Sequence, residues 1–194
     1  MIVTADEVNR SFKGTMDLLY LRAEGLSAFD ISEKGFWRSF TAIWLTLPAY
    51  VVSVAIERLR LGHEGGEILD SLWLDAIVAL GHVAGFLALP VAMIWIARRL
   101  RVTDRYVPFV IVTNWISVMG ILVLSVPAVL LLAGWATPSL ASFFSLAFAF
   151  LVLRVQWFAT KLTLGVSSGL AVGIVGLGIA LNLLVGSTMR LVIG

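Results

Sequence analysis

"RYVPFVIVTNWISVMGILVLSVPAVLLLAGWATPSLASFFSLAFAFLVLR", residues 105 to 154, carries no charged side chain between its two terminal arginines. A helix crosses ~30 Å of hydrocarbon in about 20 residues, so the stretch is too long for a single span. "AGWATPS" at 133–139 supplies a break, because Gly134 and Pro138 are turn residues and Trp135 suits a membrane interface. The segment reads as two membrane helices joined by a tight turn.

The same reading between charges extends outward. Ser39 to Ile56 and Ala76 to Ala97 are uncharged by Asp, Glu, Lys or Arg, and so is Leu162 to Met189. Five transmembrane helices follow, at about 36–57, 72–98, 107–132, 138–161 and 166–189. The predicted fold is an all-α integral membrane protein, a five-helix bundle over 36–194 preceded by a cytoplasmic amphipathic segment over 1–35. Composition agrees: 60% of residues are hydrophobic and 13% charged, with a mean hydropathy of +0.99, which excludes a soluble domain with a polar surface. Cysteine is absent, which removes disulfides and thiolate chemistry. A net charge of +2 gives no reason to expect nucleic acid. "MIVTADEVNRSFKG" lacks a basic stretch followed by an apolar run, so no cleavable signal peptide is expected.

Lysine and arginine set the orientation. With the N-terminus inside, 11 of the 14 basic residues fall on cytoplasmic segments, and only Arg58, Arg60 and Arg190 lie outside. The expected location is therefore a bacterial inner membrane, N-terminus in and C-terminus out. "TADE" at 4–7 is a capping box, Val8, Phe12, Met16 and Leu19 recur at helical spacing, and Gly25 suits the helix C-cap. This helix has three destinations open to it: the membrane surface, the bundle itself or a partner. "DISE" at 30–33 is a second capping box that starts the first span.

Five helices, a cytoplasmic N-terminal segment and short loops resemble the Yip1-like membrane proteins, and "FDISEKGFWRSF" at 29–40 resembles an entry segment of bacterial inner-membrane proteins. The resemblance implies the five-helix topology. It transfers no functional residue, because the Tyr-Gly-Pro motifs of eukaryotic Yip1 members are missing, and their role with small GTPases does not carry over.

Catalytic signatures are absent: there is no phosphate loop, "HExxH" or "GxSxG". The external "HEGGEILDSLWLD" offers His63, Glu64, Glu67 and Asp70 as weak candidate ligands for a divalent cation, against the plainer reading of a solvated acidic loop. No cofactor is expected. Polar groups within the spans are the remaining candidates: His82, Asn114, Arg154 and Asn182. His82 is expected to hydrogen-bond Asn114, Asn182 or a backbone carbonyl, and Arg154 to reach toward the headgroups. Gly81 and Gly85, with Gly169, Gly173 and Gly176, form small-residue faces for helix packing. Pro48, Pro90 and Pro127 mark kinks.

The leading expectation is a non-catalytic membrane protein acting as an accessory, scaffold or organising subunit, its partners the lipid bilayer and either another protein or further copies of itself. The alternative is a small oligomeric channel or transporter using the midplane polar residues. An intramembrane enzyme comes third.

Overall fold

The computed structural model describes residues 3–63 and 72–193, with side chains through 60 and from 72 onward. These residues form seven α-helices: α1 Ala5–Leu19, α2 Glu33–Thr41, α3 Leu47–His63, α4 Leu72–Arg99, α5 Tyr106–Leu132, α6 Pro138–Leu164 and α7 Ser168–Ile193. Five stretches are long and apolar enough to cross a membrane: Glu33–Arg60, Leu72–Arg99, Thr103–Leu132, Pro138–Leu164 and Ser168–Ile193.

Thr4 caps α1, its hydroxyl accepting from the Glu7 N–H at 3.3 Å. The helix does not run on to Gly25. It stops at Leu19, where Leu21 turns left-handed at φ 59° and the Arg22 N–H reaches back to the Asp17 carbonyl at 2.9 Å. Gly25 serves a different purpose. It lies in a 3-10 segment, Ala23–Ala28, that packs against α1 so closely that a Cβ on Gly25 would meet the Gly14 carbonyl at 2.6 Å. Small size therefore decides the buried face of α1, which is Glu7, Ser11, Gly14, Thr15 and Leu18. Phe12, one of the expected stripe, is 51% exposed, whereas Val8 and Leu19 pack on the core with Ile116 and Val155. Thus α1 folds back on the bundle, in contact with α5 and α6.

The first long stretch is broken in the middle. Pro48 has no N–H to give the Trp44 carbonyl, and Leu47 N–H takes that carbonyl instead. The result is a 3-10 turn, Ala42–Thr46, between α2 and α3. Helices α4 and α5, by contrast, continue through Pro90 and Pro127. Between α5 and α6, Gly134 is left-handed at φ +73° and Thr137 caps α6 through its hydroxyl, with Pro138 at the first turn.

Packing arranges the long helices in a ring. α3 touches α4, α4 touches α7, α7 touches α6, α6 touches α5, and α5 returns to α3. The N-terminal half of α5 fills one end of that ring, since every residue from Phe109 to Ile116 is buried. Most of the outer surface is apolar, with Trp44, Trp95, Phe143, Leu146, Phe150 and Leu183 all exposed. So much exposed apolar area needs lipid or protein to cover it.

Candidate functional site

The 3-10 turn forced by Pro48 determines what His82 meets. Thr46, buried at the end of that turn, gives its single hydroxyl proton to the Ile43 carbonyl at 2.6 Å. His82 Nε2 lies 2.7 Å from the same oxygen, within hydrogen-bond distance. The Tyr50 ring stands edge-on to the imidazole, centroids 6.2 Å apart. Its hydroxyl donates to the Asp75 carbonyl at 3.0 Å, and Asp75 pairs with Arg58 at 2.9 Å. These bonds join the first span to α4.

Inside the ring lies a half-open cavity of about 590 Å³ to which all five long stretches contribute. Ser53 and Glu57 come from α3, His82 from α4, Ser117 and Ser125 from α5, Gln156 from α6 and Asn182 from α7. Apolar residues such as Phe86, Ile121 and Leu124 make up the rest of the wall. Glu57 is held by a fork from Arg60, whose Nε and Nη2 reach Oε1 at 2.9 and 2.5 Å. A second pocket shares Ser53, Glu57, His82 and Asn182 and extends along α7 to Met189 and Arg190.

Asn182 and Asn114 are not partners of His82. Asn182 Nδ2 donates to its own helix, to the Gly178 carbonyl at 3.0 Å. Asn114 Nδ2 donates to Ser39 Oγ at 3.0 Å, and Ser39 donates to the Phe36 carbonyl at 2.7 Å, tying α5 to α2 below the cavity. Asn114 is turned to α2, whereas Asn182 lines the same cavity as His82 and bonds within its own helix instead. Arg154 is half-buried on α6 and makes no ion pair among the described residues. His63 has no described side chain, and Glu64, Glu67 and Asp70 of the candidate cation loop lie outside the described residues.

The glycines divide into two groups. A Cβ on Gly85 would stand 2.7 Å from Asn182 Oδ1, and one on Gly81 would stand 2.9 Å from Met189 Cγ, so both let α4 approach α7. Gly169, Gly173 and Gly176 meet nothing within 4 Å among the described residues, where the packing expected of them is not made.

Sequence reasoning missed Glu57, Ser53 and Thr46. A signal existed, since Ser53 and Glu57 are spaced i, i+4 and so share one face of α3. It missed a second cluster too. Arg38 Nε lies 2.9 Å from Glu7 Oε2, off the hydrogen-bond axis, and its Nη2 lies 2.5 Å from Asp30 Oδ2. This ion triad fastens α1 and the connecting segment to α2.

Two variants separate hydrogen bonding from packing at the site. His82→Gln keeps a donor and an acceptor, so its cost is expected to stay within about 0.6 kcal/mol, the average for interhelical bonds in membrane bundles. Gly85→Leu adds four carbons where the first already overlaps Asn182 Oδ1, and overpacking of that kind costs about 1–3 kcal/mol. Thermal unfolding in detergent should rank Gly85→Leu well below His82→Gln; the reverse order would remove the packing account of Gly85.

Comparison of the chain with protein-family models, curated proteins and solved structures finds no match.

Proposed function

We propose that the chain is an integral membrane protein whose ring of helices admits a small polar solute, acting as a channel or carrier. The N-terminus and the basic segments around Arg98 to Arg105 belong, on this reading, to the cytoplasmic side of a bacterial inner membrane. The supporting observation is convergence: polar side chains from every long stretch line one cavity, while the outer surface is apolar. Ionisable groups inside a membrane are costly and normally face a functional interior. His82 fits that expectation, and Glu57 stands at the outer end of the first span, where the cavity wall meets the charged residues Arg58 and Arg60. The N-terminal helix offers less to a docking partner than its sequence suggests, because the bundle itself covers part of its apolar surface. The subunit reading keeps one observation in its favour, the uncovered glycine face of α7, which suits close approach by a helix of another chain.

The natural absence of cysteine gives a clean background for the test. Ala128→Cys and Ser117→Cys place thiols in the cavity wall, and Leu146→Cys places one on the outer apolar surface. A membrane-impermeant methanethiosulfonate added outside intact cells is expected to label the two cavity thiols an order of magnitude faster than the third. Equal inertness of all three would sink the proposal, and labelling only from the cytoplasmic side would reverse the orientation.

A further inference from the structure

We infer that the cavity, taken on the solute-binding reading above, is built for a small cation carrying N–H donors, a primary ammonium in chemical class. Each serine hydroxyl has one proton and two acceptor sites. Ser53 gives its proton to the Ala49 carbonyl at 3.0 Å, and Ser125 gives its own to the Leu122 carbonyl at 2.8 Å. Asn182 Nδ2 donates to Gly178, so its Oδ1 is the group presented toward Gly85, where the missing side chain leaves room. Glu57 Oε1 takes both contacts from Arg60, and its Oε2 makes no hydrogen bond among the described residues. The two serine protons are thus spent, Asn182 keeps one N–H of its amide, and the wall offers more oxygen lone pairs than free protons.

Charge points the same way. Among the described residues, Glu57 is the only Asp, Glu, Lys or Arg lining this cavity. Arg60 and Arg190 line the neighbouring pockets instead. The Arg60 guanidinium already offsets the charge of Glu57, so what an anion entering the central cavity would lack is donors to replace its lost hydration. A primary ammonium brings three donors and a positive charge, so acceptors replace its water, with the open Glu57 Oε2 among them. Gln156 and Ser117 can turn either way and do not alter the balance. The volume of about 590 Å³ is in the usual range for a ligand pocket and leaves space for an organic substituent on the nitrogen.

The test uses the full-length Ala128→Cys protein in liposomes and the neutral thiol reagent methyl methanethiosulfonate. Methylammonium chloride is expected to slow labelling several-fold in a saturable way. Tetramethylammonium chloride, equally charged but without N–H donors, and sodium acetate at the same ionic strength are expected not to. Glu57→Gln in the same background should abolish the protection, each rate being taken relative to that variant's own unprotected labelling, and Glu57→Asp, which keeps the charge, should retain it. Protection by acetate, equal protection by tetramethylammonium, or protection that survives Glu57→Gln overturns the inference while the cavity reading stands. A thiol that never labels overturns the cavity reading, and this inference with it.

Discussion

Arg38→Ala is expected to lower the stability of the folded protein by about 3 kcal/mol, the lower end of the range for removing one partner of a buried ion pair. The size of the effect comes from what is left behind. The Glu7 side chain is only 4% exposed, and Arg38 is its ion-pair partner at 2.9 Å. Without the guanidinium a carboxylate remains in a site where water cannot solvate it. Arg38 itself keeps 21% exposure, which is why the lower end of the range applies. Glu7→Gln should cost less, since it removes the buried charge and leaves Arg38 its contact with Asp30 at 2.5 Å. The thermal midpoint in detergent checks both variants; an Arg38→Ala protein as stable as Glu7→Gln would show that α1 is held by packing alone.

Acid should act on the same cluster. Hydrogen bonds from Ser32, and after them the charges of Arg38 and Arg10, hold the Asp30 carboxyl below its ordinary value of 3.8. A carboxylate with a depressed folded pKa stabilises the fold at every pH above its unfolded value. That contribution is lost as pH falls through the folded pKa. Stability attributable to Asp30 is therefore expected to be flat from neutrality down to about pH 4 and to fall only below it. Because the Ser32 bonds lead, Arg38→Ala should weaken this acid dependence without abolishing it.

Gly35→Ala should destabilise by about 1–3 kcal/mol, although helix propensity alone favours alanine over glycine by about 1 kcal/mol. The new Cβ would overlap the Asp30 backbone carbonyl and crowd its side chain. A backbone group cannot swing aside as a side-chain end can. Moving it would disturb the turn in which Asp30 Oδ1 accepts from the Ser32 N–H at 3.0 Å and Ser32 Oγ caps Gly35 at 3.1 Å. Gly173→Ala is the opposing control. Nothing among the described residues lies within 4 Å of the added methyl, so propensity should decide and stability should rise slightly. A gain at Gly35 equal to that at Gly173 would contradict the close approach seen at the start of α2.

The sequence by itself determined the number of long apolar helices and nearly all their ends. The expected 72–98, 107–132 and 138–161 became Leu72–Arg99, Tyr106–Leu132 and Pro138–Leu164. Transfer from water to an apolar medium is a local, nearly additive property of each side chain, so a run between charges marks a helix without reference to its neighbours. The capping residue Thr4 was legible for the same reason, its hydrogen bond closing within three residues, whereas α2 is capped by Ser32 and not by the Asp30 that opens "DISE". Only the tertiary structure decided that His82 meets Thr46, that Asn114 meets Ser39, that Arg38 joins Glu7 to Asp30, and that Glu57 lines a cavity. Each of these depends on how a helix is rotated about its axis, where one residue of difference turns a side chain by about 100°. In helices that are apolar on every side, no hydrophobic stripe reports that rotation. It is set by contacts between distant segments: the Pro48 break that carries Thr46 to α4, and the bare surfaces of Gly81 and Gly85 that bring α7 to the same place.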